Sequence, residues 1–165
     1  MVGRFVAGIG ALIWAPSRAK YLLVRRSSQK DFAPGVWECV TGRVDQGESY
    51  QDALHREVAE ELGVAVTTDF ILGTTHFYRG AAMPENELLG VVYHCSVAAP
   101  DDVRLSPEHS ELQWATFEEA QALLSDSEHP SEVWLLRLLQ RAERLHTGDV
   151  GATVAHNRSE GLELG

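Results

Sequence analysis

Residues 42–64 read GRVDQGESYQDALHREVAEELGV and gather three carboxylates, Glu57, Glu60 and Glu61, within five positions. Tyr50, Leu54, Val58 and Leu62 recur at every fourth place, so 49–62 is read as a helix with one side toward a core. At about 100° per residue the three glutamates share an arc of roughly 100° beside that apolar side. The arrangement has a local cost. Like charges at i,i+3 and i,i+4 destabilise by about 0.2–0.5 kcal/mol per pair. Acids in a last turn also oppose the helix dipole, by about 0.3–1 kcal/mol each. Arg56 is one cation against three anions. The plain reading is a solvated acidic face. The chemical reading is a divalent cation held among the carboxylates, where hard oxygen donors select Mg²⁺ or Mn²⁺.

The same stretch resembles the signature of the Nudix hydrolase family, G-x5-E-x7-R-E-U-x-E-E-x-G-U, in which U is a bulky aliphatic residue. Gly42, Glu48, Arg56, Glu57, Val58, Glu60, Glu61, Gly63 and Val64 fill its fixed or restricted positions without departure. The resemblance continues in LLVRR and GVWECVTGR before the box and in SPEHSELQWATFEEA after it. It looks MutT-like and covers about residues 3–145.

That resemblance implies Mg²⁺-dependent hydrolysis of a pyrophosphate bond in a nucleoside diphosphate linked to another group, with Mn²⁺ as a second possible ion. It implies Glu57, Glu60 and Glu61 as metal ligands, with Glu57 also orienting or deprotonating the water. The carbonyl of Gly42 is implied as a further ligand. Glu48 is implied to act through a water or to buttress the site. Arg56 is implied to fix a glutamate by ion pairing, and Gly63 to close the helix. An additional acid from outside the box is implied, and Glu108 in SPEHSELQW is the candidate, with Glu85, Glu87 and Glu111 as rivals. A small phosphorylated molecule is the implied partner, as a nucleoside or pterin triphosphate giving a monophosphate and pyrophosphate. ADP-ribose, dinucleoside polyphosphates and oxidised nucleotides stay open, as does a binding module that has lost catalysis. The subunit is expected to be a monomer or a homodimer.

Other residues are candidates for binding. Arg25, Arg26 and Arg43 are candidates for phosphate contacts. Alternate residues of a strand face opposite ways, so Arg25 and Arg26 are not expected to share a job; Arg25 and Arg43 are taken forward. Trp37, Phe77 and Tyr78 offer rings for stacking on a base, and Trp37 is taken forward, with core packing as the alternative for each. His55, His76, His94 and His109 show no metal-ligand spacing.

The elements that must position these groups follow from pattern. Strands are read over 2–14 and 20–26, in VWECVT, and as an antiparallel pair in VTTDFILGTTHFYR and LLGVVYHCSV around a polar loop. SELQWATF is read as a last strand, and FEEAQALL and SEVWLLRLLQRAERL as helices. Ser49 with Asp52 is a weak cap signal, because Asp replaces the usual Glu or Gln. Gly63 suits a helix end. The order predicts an α/β fold, a Nudix-type α/β/α sandwich with a mixed sheet and a loop–helix–loop motif, in one domain over 1–146. From Thr147 no sustained period remains, and 147–165 is expected to be a mobile tail.

Composition narrows the partners. The chain has 165 residues, 44% hydrophobic and 23% charged, enough for one core. A net charge of −10 argues against duplex nucleic acid, whose phosphates would be repelled. No apolar run is long enough for a bilayer. The glycines of MVGRFVAGIGALIWA favour a strand over a leader. Cys39 and Cys95 lack metal spacing and are expected as buried free thiols in a cytoplasmic protein.

Overall fold

The strand β1 (Val6–Ala15) is apolar on both faces, which places it in the middle of a sheet covered on both sides. Ile9, Ala11 and Ile13 enter one buried cluster, and Leu12 between them enters the other. In the computed structural model, which describes residues 3–146, 148, 150–160 and 164, six further strands follow. They are β2 (Lys20–Arg26), β3 (Trp37–Glu38), β4 (Val40–Arg43), β5 (Thr67–Tyr78), β6 (Glu87–Ser96) and β7 (His109–Ala115). The helices are α1 (Tyr50–Leu62), α2 (Phe117–Leu124), α3 (Pro130–His146) and α4 (Val150–Glu160).

The sheet runs β3-β2-β1-β6-β5, with β4 also on β1 and β7 also on β2. The β1–β6 pair is parallel and the others are antiparallel, so the sheet is mixed. One cluster joins Ile9, Ile13, Val24, Val40 and Tyr93 to Leu54, Val58 and Leu62 of α1. The other joins Leu12, Tyr21, Leu23 and Val92 to Leu124 of α2 and Leu135, Leu138 and Leu139 of α3. This is the expected α/β/α sandwich. The registered pairs of β1 and β2 are Trp14↔Tyr21 and Ala15↔Lys20. Beyond them β1 turns to β4, while β2 turns to β3 and β7. Both branches line the cleft described below, through Gly8–Gly10, Arg26, Glu38 and Thr41–Arg43.

The stretch after Thr147 differs from a segment without regular structure. It carries α4, and Leu164 is buried with its N–H donating to the Thr74 carbonyl at 2.8 Å. The described side chains of α4 are exposed or half-buried, and its sequence VGATVAHNRSE carries no sustained apolar period for sequence reading to detect. Cys39 and Cys95 are free and buried, one in each cluster. Among the described residues no helix is long and apolar enough to cross a membrane.

A histidine cluster under α3 gives the fold a pH dependence. His94 is 2% exposed. Its ring stacks on Phe70 at 4.6 Å and meets His146 edge-on at 4.7 Å and Tyr21 at 6.4 Å. Asp69 accepts from or faces Nδ1 at 2.9 Å, and Glu143 accepts from the Tyr21 hydroxyl. Burial pushes the imidazole down to about 4, and the Asp69 hydrogen bond only partly opposes it. The unfolded chain binds a proton near pH 6.5 that the fold refuses. Stability is therefore full above about pH 6.5 and is lost as pH falls toward 4, by roughly 3 kcal/mol from this group. Urea midpoints at pH 7.5 and 4.5 are expected to differ less in His94→Phe than in the wild type. Equal pH slopes in the two proteins would remove His94 from this role.

Candidate active site

Local sequence builds α1 firmly. The Ser49 Oγ accepts from the Asp52 N–H at 3.1 Å, and the Asp52 carboxylate accepts from the Ser49 N–H at 3.3 Å. Both halves of a capping box thus form although Asp stands where Glu is usual. Gly63 ends the helix at φ 67°, and its N–H donates to the Ala59 carbonyl. Leu54, Val58 and Leu62 are fully buried, whereas Tyr50 is 38% exposed, so the apolar series loses its first member. This docking rotates Glu57 and Glu61 to the edge of an open cleft of about 1010 Å³.

Arg56 organises the acids. It forks onto Glu48 through Nε at 2.7 Å and Nη2 at 2.9 Å. Its Nη1 donates to Glu57 at 2.9 Å and to Glu60 at 3.4 Å, and its Nη2 to the Arg43 carbonyl at 2.9 Å. The Arg56 hydrogen bonds, with a backbone N–H from Asp45, hold the Glu48 carboxyl down at about 2. Glu48 sits as a buttress on the arginine. Arg56 serves three glutamates.

The two inner glutamates differ. Glu57 also accepts from the Arg43 N–H at 3.3 Å and lies against Gly42. A Cβ on Gly42 would come within 2.1 Å of the Glu57 carboxyl carbon, so only glycine admits that side chain. Glu61 is 5% exposed, and its Oε2 has no hydrogen-bond partner among the described residues. Burial first, then the charges of Glu38, Glu57 and Glu108, push its carboxyl up to about 9. His109 Nε2 stands 3.7 Å from that oxygen and 3.1 Å from Glu38.

Glu38 was not singled out by its sequence position. It is 8% exposed, lines the cleft, and accepts twice from Arg26 Nη1 at 3.0 and 3.1 Å. The available signal was a charged residue inside the otherwise apolar run VWECV. Of the four outside acids considered, Glu108 is the one that lines the cleft, paired with Lys30. Lys30 holds its carboxyl below the usual range. Glu111 pairs with Arg25, Glu87 with His76, and Glu85 is exposed.

The binding candidates divide. Arg43, Phe77 and Tyr78 line the cleft. Arg25 and Trp37 stand outside it: Arg25 donates to the Gly35 carbonyl at 2.9 Å and lies over the Trp37 ring at 5.9 Å. Arg26 faces the cleft instead, across a register shift between Arg25 and Arg26. Arg79, Phe32 and Trp134 also line it and were not anticipated. Glu60 lies outside the lining, its side chain 61% exposed.

A divalent cation fits this donor set, though the donors are not drawn into a ready cage. Among the described residues no three such side chains already stand at metal-binding distance. Protein cations hold them instead: Arg56 on Glu57 and Glu60, Lys30 on Glu108. The fit rests on the unpartnered Glu61 oxygen, crowded by three other carboxylates, and on a hard, all-oxygen set.

Fold and site together define an α/β/α sandwich whose capped acidic helix borders a cleft that Arg26, Arg43 and Arg79 also line. The NUDIX domain model matches residues 4–138, and the chain belongs to the Nudix family. It is 30% identical over 141 residues to the NAD-capped RNA hydrolase NudC of Stutzerimonas stutzeri, covering 84% of this chain and 48% of that one. It is 34% identical over 104 residues to the CTP pyrophosphohydrolase of Escherichia coli, covering 61% of this chain and 70% of that one. Among solved structures, the MutT protein from Methanosarcina mazei Go1 superposes with a TM-score of 0.69 at 26% identity, over 88% of this chain and 98% of that one. The chain spans about half or less of the length of the first curated relatives it matches.

Proposed function

We propose that this chain is a divalent-cation-dependent pyrophosphohydrolase acting on a nucleoside diphosphate linked to another group. A nucleoside or pterin triphosphate is the favoured substrate, giving a monophosphate and pyrophosphate. The observation that carries the reading is the buried Glu61 carboxyl, whose Oε2 has no hydrogen-bond partner among the described residues, near Glu38, Glu57 and Glu108 in a cleft that also holds Arg43 and Arg79. Crowding and burial make a carboxyl hold its proton until a cation replaces it, and phosphates need the same cations between themselves and carboxylates. The family membership and the hydrolase names of the relatives support it.

In this mechanism Glu57, Glu60, Glu61, Glu108 and the Gly42 carbonyl would hold Mg²⁺ or Mn²⁺. When bound, the ion would neutralise phosphate charge and make a water more acidic, as a nucleophile for phosphorus requires. Glu57 orients that water and takes its proton. Arg56 fixes Glu57 through Nη1 and is itself fixed by the Glu48 fork. Arg26 and His109 hold Glu38 near Glu61. Catalysis is positioning and charge stabilisation, with no covalent enzyme intermediate. A binding module without catalysis fits less well, because every glutamate of the box is present.

The test is a panel of nucleoside triphosphates, ADP-ribose and dinucleoside polyphosphates with Mg²⁺, products resolved by chromatography. Release of a monophosphate and pyrophosphate from a triphosphate, abolished by EDTA, is expected. Binding of nucleotides with no turnover on any member would replace the enzyme with a module.

A further inference from the structure

The cleft contains a cation that the steps above leave unused. Arg79 follows directly on β5 and lines the same cleft as Glu57 and Glu61. Its guanidinium lies over the Phe32 ring, 5.4 Å from the centroid. Its Nε is buried and has no hydrogen-bond partner among the described residues. Desolvation by burial, then the positive charges of Arg43 and Arg26, lower its pKa, and Glu38 opposes only in part. Arg26 cannot serve as its counter-charge, and Glu38 is already committed to Arg26 and His109.

The situation mirrors the acidic helix with the sign reversed. A half-buried guanidinium beside two like charges is unfavourable until an anion arrives. The donor plane is preorganised by the aromatic platform, which reduces the ordering cost of binding. We propose that Arg79, seated on Phe32, grips an anionic group of the substrate without help from a metal ion, and that the substrate carries a phosphate beyond the pyrophosphate unit held at the acidic helix. This rests on reading the cleft as a pyrophosphohydrolase site. A nucleoside diphosphate joined to a neutral sugar commits both phosphates to the acidic side and leaves Arg79 unmatched. A nucleoside triphosphate or a longer phosphate chain satisfies both walls. Phe32 is a positioning residue that acts through Arg79.

The experiment uses the full chain in EDTA with inorganic tripolyphosphate and with ADP-ribose as calorimetric probes, and Mg²⁺ kinetics on nucleoside triphosphates. Arg79→Met keeps an unbranched apolar stem over Phe32 and removes the charge. It is expected to weaken tripolyphosphate binding by about 10-fold or more, with ADP-ribose binding unchanged. KM for triphosphates should rise by a similar factor, with kcat within about threefold, which is the pattern of lost uniform binding. Arg79→Lys restores part of the affinity, and Arg18→Met, on the far turn between β1 and β2, changes nothing. The Arg79→Met melting temperature should equal or exceed the wild type's, since a half-buried charge beside two like charges is gone. Unchanged tripolyphosphate affinity in Arg79→Met, or no tripolyphosphate binding by the wild type, overturns the grip. An equal loss for ADP-ribose overturns the substrate class. Arg79-dependent tripolyphosphate binding by a wild type that hydrolyses no nucleotide sustains the grip and removes the hydrolase reading. Hydrolysis with Arg79→Met indistinguishable from wild type does the reverse.

Discussion

Glu57→Gln and Glu61→Gln are each expected to lower turnover of the best triphosphate by roughly 10²–10³-fold or more, the scale of losing one preorganised charge at a reacting centre. They should part company in stability. Glu57 is already stabilised by Arg56 and by the Arg43 N–H, so its amide variant loses charge-assisted bonds and melts slightly lower. Glu61 has a buried oxygen without a hydrogen-bond partner among the described residues and a carboxyl pushed up to about 9, so near neutral pH the fold must take up a proton there that the amide variant does not need. Without divalent ions Glu61→Gln should be more stable than the wild type by about 1–3 kcal/mol, a rise of about 5 °C for a chain of this size. Adding Mg²⁺ should raise the wild-type melting temperature and move Glu61→Gln much less. The measurement is a pair of melts, in EDTA and in Mg²⁺, beside a turnover assay. A Glu61→Gln protein that melts lower than wild type in EDTA, or retains full turnover, would show that the buried carboxylate is not kept for an ion.

Gly42→Ala is the second large effect, and it adds only a methyl group. The glycine lies on β4 opposite Ile9, and its missing Cβ is the space that Glu57 occupies. A carbon 2.1 Å from the Glu57 carboxyl carbon and 2.4 Å from Oε1 cannot be accommodated without moving one of them. Moving β4 disturbs its pairing with β1, so Glu57 is the part that yields. Turnover is expected to fall by about 10²-fold, with a stability loss of about 1–3 kcal/mol from overpacking. The stronger check is non-additivity. In a Glu57→Gln background the same substitution should cost little further turnover, because the group it displaces is already disabled. Multiplying losses in the double variant would mean that Gly42 serves the site by another route, such as its carbonyl alone.

The acidic helix was legible because its causes are local. The fourfold spacing of Leu54, Val58 and Leu62, the Ser49 cap and the Gly63 stop all lie within a few turns of one another, and a helix turns spacing directly into a face. The β5–β6 pair was legible for a similar reason, since its two β-branched runs flank a polar loop. Arg25 and Arg26 show where this ends. Strand alternation says that they part, but helices cover both sides of the sheet, so alternation cannot say which side holds the cleft. The fold turns Arg26 and Glu38 to the cleft and leaves Arg25 and Trp37 against each other outside it. Arg79 ends the run VTTDFILGTTHFYR with no local mark of a role, and its setting depends on Phe32, Arg26 and Arg43, which come from distant segments.

By itself the sequence determined a helix with an acidic edge, the cap and the glycine stop that bound it, and a chain with strands enough for a sheet between helical layers. Tertiary structure alone decided which charges meet: that Glu38 stands near Glu61, that Lys30 holds Glu108, and that Arg79 lines the same cleft as these acids. The physical reason is range. Backbone periodicity and capping act over a few residues, whereas the energy of a buried charge depends on every charge within several ångströms, whichever part of the chain supplies it.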